Sequence, residues 1–183
     1  MMNEDKRKKD EEMRKRYQRL AGQQSLMMEF LDPVEMGKYS TRIRSAVSVI
    51  KAEAAAVDVA ERERVLELIR EREFDTTESV SNNQKVLNYR LRWYPIEFSI
   101  TEEDSELSFL YLGVPIKGIV PELLKAAIEF GAEYVEHFDG ILTQFYEDAG
   151  FEMIRRESWN DDYGLTSHST FGKPSVIYRK LKK

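Results

Sequence analysis

Near residue 85 the spacing of apolar residues switches from steps of three and four to steps of two. Upstream, over 40–73, Ile43, Val47, Ile50, Ala54 and Val57 recur at helical spacing, and Val65, Leu68 and Ile69 continue that face after a polar break. The alanines at 54–56 add helix propensity, and Ser40 or Thr41 stands where a first-turn cap is needed. The polar, turn-rich "DTTESVSNNQ", 75–84, is expected to end this segment. Downstream, Leu87, Tyr89 and Leu91 alternate, then Ile96, Phe98 and Ile100. After the polar "TEED" comes "ELSFLYLGV" as a third strand, and the three read as an antiparallel meander.

The remainder alternates between helix and strand. "GIVPELLKAAIEFGAE" has Pro121 in its first turn and Gly131 at its stop, a helix signature. "YVEHF" reads as a strand, "ILTQFYEDAG" as a short helix ended by Gly150, and "FEMIRRESW" as a strand. The loop "NDDYGLTSHSTFGKP" leads to a final strand, "SVIYRKL". Helices, then β, β, β, α, β, α, β, β, imply an α/β (α+β) fold: one mixed central sheet flanked by helices. Residues 1–39 form a charged N-terminal arm ahead of a domain over 40–183. In the first 20 residues Met13, Tyr17 and Leu20 are the only apolar side chains past the start, so a solvated or frayed helix, or disorder, is expected there.

Composition limits the chemistry. The 183 residues carry a net charge of −5, which gives no electrostatic reason to expect nucleic-acid binding. There is no cysteine, so disulfides, thiolate zinc sites and a cysteine nucleophile are excluded. With only His137 and His168, a histidine-rich metal site is not expected, and none is assigned. No apolar run approaches the roughly 18 residues of a membrane span, and the first 20 residues lack the apolar core of a secretory signal. A cytoplasmic location is the expectation.

The stretch "HFDGILTQFYEDAGF" carries the most specific motif. Its aromatic pair, Phe145 and Tyr146, ends a short helix, and Gly150-Phe151 opens the next strand. In this, and in the element order over about 86–181, the chain resembles the GNAT acyltransferase superfamily. With "WNDDYG" and "GKPSVIYRK" it is similar to GNAT-like proteins carried by bacteriophages. The resemblance implies acetyl-CoA or a related acyl-CoA, an amine acceptor, and a V-shaped gap between the strand ending near Leu112 and the strand at 134–138. It implies that Tyr146 protonates the departing thiolate, a role suited to a phenol with pKa near 10. A backbone N–H near Leu112–Val114 would hold the oxyanion.

The resemblance also maps a pyrophosphate loop onto "PIKGIV", 115–120, where first-turn N–H groups of the following helix would cradle phosphates. Gly118 matches the first family glycine, and Lys117, Gly118, Ile119 and Val120 are the implied contacts. Pro115 stands in place of Gln/Arg, Val120 in place of Gly/Ala, and Pro121 removes one donor. Asp139 occupies the position of a family asparagine. With Gly140 it also suits a turn and cap for the short helix. As general base the strands offer Glu106 and Glu97, although alternating polar residues on half-buried strands ordinarily face solvent. His137, on the side of Val135, is expected to be packed and hydrogen-bonded. Asp161 and Asp162 fit a turn, being far short of a cation's ligand set. Trp93, Tyr94 and Pro95 either line an acceptor groove or cover the sheet end.

Two functions follow from these readings. One is an N-acyltransferase. The other is a GNAT-fold phage protein without catalysis, virion-associated or host-interacting, that meets a protein partner through its helical N-terminal region.

Overall fold

A computed structural model describes residues 4–28, 59–81, 83–112, 116, 118–162 and 173–183. The elements run α1 (Glu4–Met28), α2 (Val59–Arg70), β1 (Phe74–Ser81), β2 (Gln84–Leu91), β3 (Ile96–Thr101), β4 (Glu106–Leu112), α3 (Ile119–Glu129), β5 (Tyr134–Phe138), α4 (Ile141–Asp148), β6 (Phe151–Glu157) and β7 (Val176–Leu181). The strands form one mixed sheet in the order β1-β2-β3-β4-β5-β7-β6. The fold class is the one the pattern implied, α/β around a single mixed sheet. The part of the helical pattern over 40–58 lies outside the described residues.

Alternation sorts the sheet into two chemically different faces. Leu91, Ile96, Phe98, Ile100, Leu107, Leu110 and Leu112 point to one face, where α3 supplies Leu123, Leu124, Ala126 and Ala127 and α2 supplies Val65 and Ile69. Burial of this face is the main stabilising term, at about 25 cal/mol per Å² of apolar surface. Phe74, Tyr89, Phe98 and Phe130 stack beneath it, with the Tyr89 and Phe130 rings 4.5 Å apart. The opposite face of β1 to β4 is polar.

β1 corrects the expectation that 75–84 is a turn. It pairs with β2 along its full length, from Phe74↔Leu91 to Ser81↔Gln84. As an edge strand it is exposed from Asp75 onward, so polar residues on both sides cost nothing, and no hydrophobic period marks it. The signal for it was "SNNQ": Asn83 sits at φ +62 in a two-residue hairpin turn, a conformation asparagine tolerates.

α1 also departs from expectation. Tyr17 and Leu20 are 2% and 0% exposed and pack with Phe138 and Val176, on the side of the sheet away from α3. Tyr17 meets Phe138 and Trp159 edge-on at 5.5 and 5.1 Å, and its hydroxyl accepts the Asn160 N–H at 3.0 Å. Tyr17 and Leu20, three apart on one face, dock the helix together with the half-buried Met13, Arg16 and Arg19.

Candidate active site

The parallel neighbours β4 and β5 pair only at Glu106↔Tyr134 and Leu107↔Val135. Beyond those two pairs the strands part, as expected for the implied V-shaped gap. β5 continues in register with β7 through Phe138↔Val176, and β4 continues with β3 to Ile96↔Leu112. Backbone groups on the facing edges of Ser108–Leu112 and Glu136–Phe138 therefore lack each other as partners.

One such group is the Ser108 carbonyl, and Arg19 of α1 fills the role. Its Nη1 donates to that carbonyl at 3.2 Å and to Glu106 Oε1 at 3.1 Å, while Nη2 donates to Glu136 Oε2 at 2.8 Å. The guanidinium thus bridges both strands at the base of the gap. Arg16 pairs with the other oxygen of Glu136 and reaches Glu157 at 3.3 Å. Glu136 is 6% exposed, and burial holds its carboxyl above the usual carboxylate range against the pull of the two arginines.

Tyr146 approaches the gap from the opposite face. It is 1% exposed, stacked obliquely on His137 at 4.9 Å and edge-on to Phe151 at 5.9 Å. Burial pushes its phenol well above the ordinary tyrosine value, Arg19 opposes this, and Glu106 adds to it. Charges on one face therefore act on a phenol on the other. No hydrogen-bond partner of its hydroxyl occurs among the described residues. Of the two residues singled out for catalysis, Glu106 stands on β4 beside Arg19, and Tyr146 is buried on α4 against His137.

His137 is fully buried. Arg179 Nε donates to its Nε2 at 2.9 Å, so that nitrogen carries the lone pair, and Nδ1–H donates to the Phe138 carbonyl at 2.7 Å. Burial lowers its pKa to about 4, the bond to Phe138 opposes, and the Arg179 charge adds to the lowering. Arg179 is completed by the Phe151 carbonyl at 3.1 Å and Glu147 at 2.8 Å. The ring is a packed, hydrogen-bonded support for Tyr146.

The implied phosphate loop is only partly described, with Val114 and Lys117 outside the described residues. Gly118 caps α3 at φ +76, a left-handed conformation suited to glycine. A Cβ there would stand 3.3 Å from Arg62 Nη2 of α2. Leu112, Ile119 and Val120 are 2%, 1% and 4% exposed, so their side chains belong to the core and only backbone groups are left to face a ligand. Asp139 accepts from Thr143 Oγ1 at 3.0 Å and pairs with Arg156, while Gly140 is the cap itself. Asp139 stabilises the start of α4.

Glu97 lines a polar groove on the far side of β4 from α3. Trp93 is exposed at a tight turn with φ +66, and Tyr94 donates to Glu61 at 2.6 Å. Asp161 is held by Trp159 and Lys173, and His168 lies outside the described residues. No group of three or more metal-ligating residues occurs among the described residues, and no described helix is long and apolar enough to cross a membrane.

Four residues of the site were missed in the sequence: Arg16, Arg19, Glu136 and Arg62. The first two flank Tyr17 and Leu20 in "RYQRL", and an apolar pair with arginines on the same stripe was the available signal. Comparison with protein-family models, curated proteins and solved structures finds no match to this chain.

Proposed function

We propose that the chain is a GNAT-like N-acyltransferase that moves an acetyl or related acyl group from acyl-CoA to an amine. The observation that carries this reading is the gap after two residue pairs between β4 and β5, met by Glu106 from one face and by the charge-coupled phenol of Tyr146 from the other. The Gly118 cradle fits the group's phosphates. The first-turn N–H groups of α3 favour an anion, a side chain at Gly118 would crowd the approach, and Arg62, whose Nη1 pairs with Glu63 at 2.8 Å, adds positive charge beside the loop. Bound acyl-CoA supplies a thioester open to attack by an amine.

Glu106 accepts the proton the amine loses, directly or through a water. A backbone N–H near Leu112 donates to the oxygen that gains charge. Tyr146 gives its proton to the leaving sulfur, and its raised pKa keeps it protonated until then. The positive charge of Arg19 eases that transfer by stabilising the phenolate. Most of the rate gain comes from positioning. The cytoplasm, of a host cell if the gene is a phage's, is where acyl-CoA is met.

A second reading, a GNAT-fold phage protein without catalysis that binds a virion or host partner through α1, draws on two observations. Arg19 occupies the base of the gap, and Pro121 deprives the α3 terminus of a donor. Calorimetry with acetyl-CoA and with free CoA separates the two. Saturable binding of both at micromolar concentration, weakened by Gly118→Glu, supports the transferase. No binding of either leaves the second reading.

A further inference from the structure

The polar face of β1 to β4, walled on one side by α1, encloses a groove of about 620 Å³. Its floor is a connected row of small polar groups. Asn88 Nδ2 donates to Ser79 Oγ at 2.9 Å, Ser99 Oγ donates to Asn88 Oδ1 at 2.8 Å, and Ser108 Oγ donates to the Ser99 carbonyl at 3.4 Å. Each hydroxyl that donates keeps acceptor capacity, so the row presents pre-oriented acceptors to whatever lies above it. Ser99 is 6% exposed, too enclosed to be an ordinary wet surface serine. Val86 is the only apolar residue of the lining among the described residues, so the groove offers little to an apolar guest.

Three carboxylates (Glu12, Glu97 and Glu106) and three cations line the groove, so what decides its preference is which of them are paired. Its cations are committed: Arg16 to Glu136 and Glu157, Arg19 to Glu106 and Glu136, and Lys15 to Glu11. Glu12 and Glu97 make no ion pair among the described residues, and Glu97 stands two residues from Ser99 on the same face of β3. The lining groups left without an ion pair are therefore the carboxylates Glu12 and Glu97, with Arg90 the cross-strand neighbour of Glu97 at the rim, and an unpaired carboxylate favours a cation over a polyanion such as an acyl-CoA.

We propose that this groove binds a small polyhydroxylated primary amine, with the ammonium against Glu97 and the hydroxyls on the Asn88–Ser99 row. One end of the groove is formed by Glu106 and Ser108, which border the gap between β4 and β5. An amine held there reaches the general base from the face opposite α3, which supplies the phosphate cradle. That last step rests on the acyl-transfer reading. The binding itself does not.

Ligand-observed NMR on the full chain without CoA tests it, using glucosamine, glucose and hexylamine as probes. Glucosamine should bind at least about tenfold more tightly than either, since glucose lacks the charge and hexylamine the hydroxyls. Glu97→Gln should bring glucosamine to the level of glucose, and Glu97→Asp should restore part of the difference, with melting temperatures confirming that both variants fold. Thr77→Val, isosteric and on the exposed edge strand, should weaken both sugars and leave hexylamine unchanged. Equal binding of hexylamine, equal binding of glucose, binding unchanged in Glu97→Gln, or no glucosamine binding each overturns the proposal. Glucosamine binding in a chain that binds no acyl-CoA sinks acyl transfer alone. Acyl-CoA binding without glucosamine binding sinks the groove alone.

Discussion

Arg19 Nη2 lies 2.8 Å from Glu136 Oε2, joining a helix near the start of the chain to a strand 117 residues later. The same guanidinium also takes a carboxylate and a carbonyl of β4. This arrangement makes a predominantly charged helix part of the folded domain.

The first prediction concerns Glu136. Glu136→Gln leaves two arginines facing each other without their shared counter-charge. Breaking a buried pair by removing one partner costs about 3–5 kcal/mol, and partial exposure of Arg19 reduces this to about 2–4. Urea denaturation should show the loss. A change under 0.5 kcal/mol would mean that α1 is held by Tyr17 and Leu20 alone.

Tyr17 gives the complementary case. Tyr17→Ala removes a buried ring that touches Phe138 and Trp159 and should cost about 3–5 kcal/mol, the range for losing a core aromatic. Lys8→Ala, on the exposed side of the same helix, should change stability by less than about 0.5 kcal/mol. Comparable melting temperatures for the two variants would contradict the docking of α1.

His137 predicts a pH dependence. In the unfolded chain it titrates near 6.5 and in the folded one at about 4, so between these values the unfolded chain binds the proton first. Stability should therefore fall as pH drops from 6.5 and level off below 4. At 1.36 kcal/mol per pH unit the loss attributable to this ring is about 2 kcal/mol by pH 5. His137→Gln should remove that component. Denaturation curves of the two proteins at pH 7 and pH 5 measure it, and identical pH slopes would refute it.

Tyr146→Phe separates catalysis from packing. If the acyl-transfer proposal holds, turnover should fall about 10²–10⁴-fold while acyl-CoA affinity is kept. No hydrogen-bond partner of the hydroxyl occurs among the described residues, so stability should stay level or rise slightly, since a buried hydroxyl without a partner is costly. A fully active variant would end the general-acid role.

Arg62 and Gly118 test the phosphate cradle together. If the acyl-transfer proposal holds, Arg62→Gln should weaken acyl-CoA binding by about tenfold at little cost in stability, because Arg62 is only half-buried and its pair with Glu63 is at the surface. Gly118→Ala should cost about 1 kcal/mol of stability, since alanine is strained at φ +76. Calorimetry and melting curves read the two effects, and unchanged affinity in Arg62→Gln would remove it from the site.

Most elements legible in the sequence had a buried face or a glycine or proline at an end. Leu87, Tyr89 and Leu91 marked β2, and Pro121 and Gly131 marked the two ends of α3. β1 was illegible because an edge strand with two wet faces has no hydrophobic period to detect. Of the candidate site, Tyr146 and Glu106 were singled out from the resemblance, but Arg19 and Glu136 were not. Their meeting depends on a contact between residues more than a hundred positions apart, which no local pattern encodes. Ile119 and Val120 were placed at the ligand by motif, while the helix turn they occupy directs their side chains inward.

Two residue pairs, with the bonds from the Glu133 and Tyr134 N–H groups to the Ser105 carbonyl, are the backbone seam between β1–β4 and β5–β7–β6 among the described residues. Mechanically the sheet is two rafts moored at one corner, with α1 and α3 as the other ropes. A tension that separates them meets two residue pairs where each neighbouring seam offers five. The amide protons nearest that seam should exchange with solvent ahead of those in the centre of either raft. Any guest wedged between the strands would alter the angle at which the rafts float, so loading of the cleft should be felt at the distant edges β1 and β6.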